Sequence, residues 1–184
     1  MTASSSAGRK KQPEAVRRAL LDAAARLAEE QGFAAVTVQA VAQAAGVTKG
    51  GLFHHFINKQ ALIKGMVADQ LDQLDAAIDA RIAVDPVAHA CFTRAYIEAT
   101  LDQERFGPDG IWRTMTATVI ADPTARALWN RWLSQRLDRH RDTDGGVALE
   151  AVRLAADGAW LFALMGGTPS PAIRSHLMFL VNNS

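Results

Sequence analysis

The stretch TVQAVAQAAGVTKGGLFHHFINK, residues 37–59, decides the fold of this chain, because it reads as two short helices around a tight turn. Apolar residues recur at the spacing of one helix face, namely Val38, Val41, Ala42 and Ala45. Gly46 supplies the positive φ that ends a helix at little cost, and Thr48 can cap the next helix. That second helix turns three apolar side chains toward the core, Leu52, Phe53 and Phe56. The pattern predicts a helix-turn-helix, whose second helix lies in the DNA major groove.

Small, polar and basic residues remain on the outer side of this pattern, and they are the predicted DNA contacts. Lys49 opens the second helix, where its side chain can reach a guanine edge or a phosphate. Thr37 is the predicted N-cap of the first helix and can offer its hydroxyl or N–H group to a phosphate. The predicted DNA-binding residues are Thr37, Thr48, Lys49, Gly50, Gly51, Phe53, His54, His55 and Lys59.

The same run resembles the DNA-binding signature of the TetR/AcrR family of transcriptional regulators. The resemblance covers roughly residues 14–65, and it is densest in Ala45-Gly46-Val47-Thr48-Lys49-Gly50 and Leu52-Phe53-His54-His55-Phe56. Phe53 stands where the family commonly has tyrosine, so a hydroxyl that often reaches phosphate is missing. The resemblance implies an all-α protein in which a DNA-binding module precedes a helical domain for effector binding and dimerisation. Most members are repressors. A helical hairpin from a protein that does not bind DNA is the alternative interpretation of the run.

Charge supports DNA binding by the N-terminal part. Residues 1–64 hold nine Lys/Arg and four Asp/Glu, a net of +5, whereas residues 65–184 hold eleven and fifteen, a net of −4. A basic module on a mildly acidic body suits phosphate binding at one end. With 49% hydrophobic and 21% charged residues, no long apolar run and one cysteine, Cys91, the composition predicts a cytoplasmic globular protein without disulfides or a membrane span.

The chain divides into three predicted segments: a disordered basic tail over residues 1–12, a helix-turn-helix domain over 13–60, and a helical domain over 61–184. Pro13 suits the start of the first helix, and Asn58 can cap a long fourth helix that runs to about Val84. Further helices are predicted near residues 86–105, 109–121, 123–142, 147–166 and 170–182, separated by turns such as Gly107-Pro108 and Gly145-Gly146. Nine helices result. Four aspartates of the fourth helix, Asp69, Asp72, Asp75 and Asp79, are predicted to form a solvated acidic face.

Aromatic residues of the C-terminal segment predict a ligand pocket among its helices, although core packing explains each of them individually. The predicted ligand-binding residues are Phe92, Tyr96, Trp112, Met115, Thr116, Trp129 and Trp160. Glu98 and Asp157 are further candidate polar anchors, and an acidic anchor among aromatic rings would suit a cationic ligand. Asp157 has two other interpretations, a solvent-facing residue or a partner of Arg153.

The last two predicted helices are apolar on more than one side, which predicts burial by a second copy of the chain. The predicted interface residues are Val152, Leu161, Leu164, Ile173, Leu177 and Leu180. The resemblance agrees, because the family dimerises through a four-helix bundle built from its last two helices. A pair of recognition helices would read a palindromic operator.

Two other classes of function compete with this interpretation. A helical protein that sequesters an apolar ligand without binding DNA would share the pocket but would not need the basic module. An all-helical enzyme is the third possibility, but the sequence has no Gly-rich phosphate loop, HExxH or CxxC motif. We therefore expect no catalytic residue, no metal site and no cofactor, and we expect Cys91 to be a buried thiol.

Overall fold

The computed structural model describes residues 6–102 and 111–184, with side chains from Pro13 onward, and it forms two compact units, residues 1–69 and 70–184. The described residues form ten α-helices, one short 3-10 helix and no strand. The helices are α1 (Ser6–Gln31), α2 (Val38–Ala44), α3 (Lys49–His55), α4 (Lys59–Val84), α5 (Cys91–Thr100), α6 (Ile111–Ala121), α7 (Pro123–Arg139), α8 (Arg141–Asp144), α9 (Val147–Leu164) and α10 (Ile173–Asn182). The predicted all-α fold is confirmed. The predicted Gly107-Pro108 turn lies outside the described residues.

The N-terminal unit is built from α1, α2, α3 and the first part of α4. Leu20, Ala23 and Ala24 of α1 are fully buried, and so are Val41 of α2, Leu52 of α3 and Leu62 of α4. Each of these helices therefore buries one apolar stripe, as an amphipathic helix in a small domain must. A 3-10 helix, Phe33–Ala35, connects α1 to α2.

Helix α1 begins earlier than the sequence predicts. It starts at Ser6 and includes Pro13, whereas the sequence predicts a start near Pro13; residues 1–5 lie outside the described part of the chain. Proline removes one backbone donor from a helix, but the preceding residues include alanine, arginine, lysine and glutamine, which are strong helix formers. Their propensity favours helix on the N-terminal side of Pro13.

Helix α4 has the predicted cap and the predicted buried seam. The Asn58 side-chain oxygen accepts a hydrogen bond of 2.7 Å from the Ala61 N–H group. The five seam residues are all buried, namely Ile63, Val67, Leu71, Leu74 and Ile78. The boundary between the two units falls within this helix, after Asp69.

Of the four aspartates of α4, Asp72 is exposed as predicted, but the other three pair with arginines and do not form the solvated face that the sequence predicts. Asp75 and Asp79 both accept hydrogen bonds from Arg136 of α7, whose side chain is buried, and the contact to Asp79 measures 2.6 Å. Asp69 pairs with Arg18 within the N-terminal unit. The spacing of these carboxylates along α4 does not show which distant arginines reach them, so the sequence alone missed the ion pairs.

The C-terminal unit has its own core between α5, α9 and α10. Its fully or nearly buried residues are Ala90, Ile97, Leu149, Val152, Ala156, Leu177 and Val181. The predicted helix near 123–142 is divided into α7 and the short α8 at His140, which accounts for the tenth helix. The break places the Asp144 carboxylate where it accepts hydrogen bonds from the N–H groups of Phe92 and Thr93 at the start of α5.

Candidate functional site

Helices α2 and α3 are joined by a tight turn whose backbone bonds are complete. Gly46 has φ 68°, and its N–H group bonds to the Gln43 carbonyl at 3.1 Å. The Val47 N–H group bonds to the Ala42 carbonyl at 2.9 Å, which completes a Schellman motif. The Thr48 hydroxyl then accepts a hydrogen bond of 3.0 Å from the Gly51 N–H group and caps α3. The turn and its caps fix the direction in which α3 leaves α2.

The predicted DNA contacts lie on the outside of this motif. Thr37 caps α2 by accepting a hydrogen bond of 3.1 Å from the Ala40 N–H group. Leu52 and Phe56 are buried, so the opposite face of α3 is the one that is available to a ligand. The exposed predicted residues are Thr37, Thr48, Lys49, Gly50, Phe53, His54 and Lys59, and Gly51 and His55 are half-buried.

The sequence predicts Phe53 both as a core residue and as a DNA contact. Its place in the core is wrong, and its DNA contact stays a prediction. Its ring is 39% exposed, and the Lys49 ammonium lies over it, 5.8 Å from the ring centroid. A cation held over an aromatic face loses part of its conformational freedom. The ring therefore positions the long Lys49 side chain at the start of α3.

The two histidines of α3 differ in their surroundings. Their rings meet edge to face, with centroids 5.4 Å apart. Burial lowers the pKa of His55, and the neighbouring His54 and Arg17 lower it further. Because the ordinary value is 6.5 and the shift is downward, His55 is mostly neutral at pH 7. It can donate one hydrogen bond to a phosphate but adds no positive charge to this surface.

Gly65 of α4 supports the motif, and sequence reasoning missed it. A Cβ atom at this position would lie 2.7 Å from Cε1 of the buried Phe56 ring, which closes α3. The guanidinium of Arg17 covers the same ring at 5.3 Å. A glycine in the interior of a helix is unfavourable, so Gly65 could have indicated that another residue packs closely against α4 at this position.

A cavity of about 230 Å³ lies within the C-terminal unit. Its walls follow helix periodicity: α6 contributes Trp112, Met115, Thr116, Val119 and Ile120, which share one face. The other lining residues are Leu74 of α4, Tyr96, Ala99 and Thr100 of α5, Trp129 of α7, and Asp157, Trp160 and Leu161 of α9. Six of the seven predicted ligand-binding residues therefore line one cavity, a juxtaposition that supports their predicted role.

Phe92 is the exception and is corrected to a core residue. Its ring is fully buried, stacks on His140 with centroids 5.3 Å apart and packs behind Tyr96, so it does not line the cavity itself. Phe92 lies one turn before Tyr96 on the same face of α5, but residues one turn apart can pack against different neighbours. Phe92 packs against His140, whereas Tyr96 reaches the cavity. The candidate anchor Glu98 is also outside the cavity, because it pairs with Arg174 of α10.

Asp157 lines the cavity and accepts a hydrogen bond of 2.6 Å from the Tyr96 hydroxyl. Burial raises the pKa of Asp157 from 3.8 to about 6, although the Tyr96 hydrogen bond and the charge of Arg153 act in the opposite direction. Arg153 itself donates to the Thr93 hydroxyl at 2.7 Å and to the Asp144 carbonyl. Asp157 is therefore neither the solvent residue nor the direct partner of Arg153 that the sequence also allowed.

A stripe of exposed apolar residues runs along α9. It consists of Val147, Leu154, Leu161 and Met165, which recur every seven or four residues, and Phe162 beside them. On α10, Phe179 and Leu180 are also exposed. Of the predicted interface residues, Leu161 and Leu180 belong to this surface, and Leu164 and Ile173 are half-buried.

Val152 and Leu177 do not belong to the exposed surface, and their predicted place in an interface is corrected. They are 5% and 2% exposed and lie in the core of their own unit. Both helices carry apolar residues on two sides, and the sequence does not show which side faces inward.

Cys91, His140 and Asp144 bring potential metal-ligand atoms within 4.8 Å of one another. The Asp144 carboxylate, however, already accepts hydrogen bonds from Phe92, Thr93 and the Thr143 hydroxyl. Burial raises the pKa of the Cys91 thiol, and the Asp144 charge raises it further, whereas a metal binds the thiolate. These contacts favour a cap on α5 over a metal centre.

Among the described helices, none combines the length and the hydropathy that a membrane span requires.

Residues 20–66 match the family model for bacterial regulatory proteins of the tetR family, and residues 90–180 match the model for a Tetracyclin repressor-like C-terminal domain. The chain is 30% identical to the HTH-type transcriptional regulator BetI of Burkholderia mallei, over 84% of this chain and 85% of that protein. It is 27% identical to BetI of Escherichia coli O157:H7, over 87% of this chain and 88% of that protein. A transcriptional regulator of Streptomyces coelicolor A3(2), SCO7518, has the same fold with a TM-score of 0.73 at 18% identity, covering 91% of this chain and 96% of that one.

Proposed function

Because the chain belongs to the TetR family of transcriptional regulators, we propose that it is a dimeric cytoplasmic repressor that a small, largely apolar or aromatic effector releases from a palindromic operator. Regulators of this family bind operator DNA and small-molecule effectors, act as dimers and are not enzymes. The operator, the effector and the direction of regulation are specific to each member.

The capped and exposed helix α3 is the observation that carries the proposal. Its inner face is fixed by Leu52 and Phe56, and its outer face begins with Lys49 over Phe53. In a helix-turn-helix the N-terminal residues of the second helix contact base edges, so Lys49 is the proposed base contact. Lys59, which is exposed at the start of α4, is the proposed phosphate contact.

The apolar stripe on α9 is the proposed dimer interface. A stripe with seven-residue spacing is the pattern with which two helices pack side by side, and a two-fold axis would place it against its own copy. The second copy is the proposed occupant because a palindromic operator requires two recognition helices in a two-fold arrangement. Val147, Leu154 and Met165, which are 80%, 63% and 71% exposed, would lose most of their solvent exposure on this burial.

Helix α4 is the proposed connection between effector and DNA. Three residues separate it from the end of α3, and its Leu74 forms part of the cavity wall. A ligand that displaces α4 would change the separation of the two recognition helices in a dimer. Half-sites on B-DNA repeat about every 34–36 Å, so a shift of a few ångströms prevents simultaneous docking. By linkage, DNA must weaken effector binding by the same factor as the effector weakens DNA binding.

Selection from a random double-stranded DNA library tests this function. The proposal expects enrichment of a two-fold symmetric sequence, bound by two chains. A chain that binds the cavity ligand but enriches no sequence and elutes from heparin at low salt would instead be a ligand-sequestering protein. Aromatic compounds that quench tryptophan fluorescence are the first effector candidates, because Trp112, Trp129 and Trp160 line the cavity.

A further inference from the structure

The cavity of the C-terminal unit combines aromatic walls with one carboxylate. Three tryptophans and Tyr96 contribute rings, and most of the other lining residues are apolar. Among the lining residues that the structure describes, Asp157 is the only one with a charged side chain, and none is lysine, arginine or histidine. A site lined in this way carries one negative charge at neutral pH when it is empty.

We propose that the effector of this cavity is an organic cation with a quaternary or delocalised positive charge. Asp157 is its counter-ion, and Tyr96 orients the Asp157 carboxylate. This inference rests on the proposed function, since it specifies the ligand of the same cavity. It goes beyond that function by excluding neutral and anionic aromatic compounds as preferred ligands.

The surroundings of Asp157 give its carboxylate no ion-pair partner in direct contact, although the nearby charge of Arg153 lowers its pKa. Its carboxylate accepts one hydrogen bond, from Tyr96, and among the described residues it forms no ion pair. Arg153 is one helical turn away, but its guanidinium bonds to Thr93 and Asp144 instead. Removing a carboxylate from water without a partner costs free energy, which a bound cation would offset.

The aromatic walls determine which cations fit. Trp112, Trp129 and Trp160 line the cavity, and a cation within about 6 Å of the face of such a ring is attracted by the ring electrons. Apart from Asp157 and Tyr96, the polar side chains of the lining are Thr100 and Thr116. A primary ammonium group needs three acceptors for its N–H groups, whereas a quaternary or delocalised cation needs none. The lining is mainly aromatic and aliphatic, so it suits a cation with an apolar surface and no N–H groups to satisfy.

Two matched pairs of probes separate charge from shape. Benzyltrimethylammonium and neopentylbenzene have nearly the same shape, and so do 1-methyl-4-phenylpyridinium and 4-methylbiphenyl, but only the first of each pair is charged. Calorimetry on the full-length protein at pH 7.5, without DNA, gives their affinities. We expect each cation to bind at least about tenfold more tightly than its neutral counterpart. Asp157→Asn should abolish this preference.

Glu150→Gln is the control, because it removes an exposed carboxylate from the same helix without changing the cavity. It should keep the cation preference, and thermal unfolding of both variants shows whether they fold.

The preference for cations should also decline as the pH falls below 6, where Asp157 takes up a proton in the presence of Tyr96 and Arg153. Equal binding within each pair, a preference that survives Asp157→Asn, or no binding of any probe would overturn the inference. If neutral probes bind and release operator DNA, the proposed function stands and only the cation preference fails.

Discussion

The Tyr96 hydroxyl donates a hydrogen bond of 2.6 Å to the Asp157 carboxylate and joins two helices of the C-terminal unit at the cavity wall. Burial raises the pKa of Tyr96 well above 10, and the Asp157 charge and hydrogen bond raise it further, so the phenol stays protonated. The pair thus has a fixed donor and a carboxylate whose protonation changes near pH 6. Both the stability of the folded protein and its binding of ligands should depend on the protonation of Asp157.

Asp157→Asn should stabilise the free protein at neutral pH. The folded state raises the pKa of this carboxyl from 3.8 to about 6, so ionisation of Asp157 costs the folded state up to about 3 kcal/mol. The cost is absent well below pH 3.8, where the side chain is protonated in both states. It develops between about pH 4 and 6, where only the unfolded state loses the proton, and it is complete above pH 6. Denaturant unfolding at pH 7.5 and at pH 4 measures it. If the wild type is more stable than Asp157→Asn at pH 7.5, ionisation of Asp157 does not destabilise the folded state.

Tyr96→Phe should destabilise the protein. It leaves the half-buried Asp157 carboxylate without its hydrogen-bond donor, which costs about 1–3 kcal/mol at pH 7.5. The loss should be smaller in the Asp157→Asn background, because a neutral amide is easier to bury than a carboxylate. A double-mutant cycle by denaturant unfolding measures this coupling, and additive effects would argue against a direct interaction.

Leu154→Glu should convert the proposed dimer into a monomer without unfolding it. Leu154 is exposed in the single chain, so a charge there is tolerated until two copies meet. Val84→Glu is the matched control, since Val84 is 82% exposed and lies outside the stripe. Light scattering at micromolar concentration distinguishes the two variants. A wild-type monomer, or a Leu154→Glu dimer, would refute the proposed interface. Leu177→Glu is unsuitable for this test because Leu177 is a core residue.

Gly65→Ala should destabilise the N-terminal unit by about 1–3 kcal/mol, because the new methyl group would collide with the Phe56 ring. Gly50→Ala is the control for stability: at that position the nearest atom to a Cβ, the Thr48 hydroxyl oxygen, is 3.9 Å away. Alanine also has the higher helix propensity. Thermal unfolding followed by circular dichroism compares them. Equal loss of stability in both variants would show that the Phe56 contact is not the cause.

Features of the fold that depend on neighbouring residues were predictable from the sequence. The caps at Thr37, Thr48 and Asn58 and the positive φ of Gly46 each depend on a few adjacent positions. Features that depend on distant residues were not. The burial of Arg136 against α4, and the choice between the two apolar faces that carry Val152 and Leu154, require the tertiary arrangement.

The sequence predicted some of the residues that line the cavity and missed others, because a cavity wall also depends on residues that are distant in the chain. Aromatic residues such as Tyr96 and Trp112 are rare and conspicuous, so a pocket among them could be inferred. Val119, Ile120 and Leu74 complete its walls, but nothing in the sequence distinguishes them from ordinary core residues. For Asp157 the sequence left three interpretations open, and the contact with Tyr96 favours the anchor.

The central claim is that α3 reads a specific DNA sequence, and fluorescence anisotropy tests it most directly. The affinities of the wild type, Lys49→Ala, Lys59→Ala and the control Lys64→Ala are compared on a selected operator and on a scrambled duplex. We expect Lys49→Ala to weaken operator binding by about 1–3 kcal/mol and to reduce the preference for the operator. Lys59→Ala should weaken binding to both duplexes alike and flatten the salt dependence. Equal wild-type affinity for the two duplexes, or operator binding unchanged by Lys49→Ala, would contradict the account.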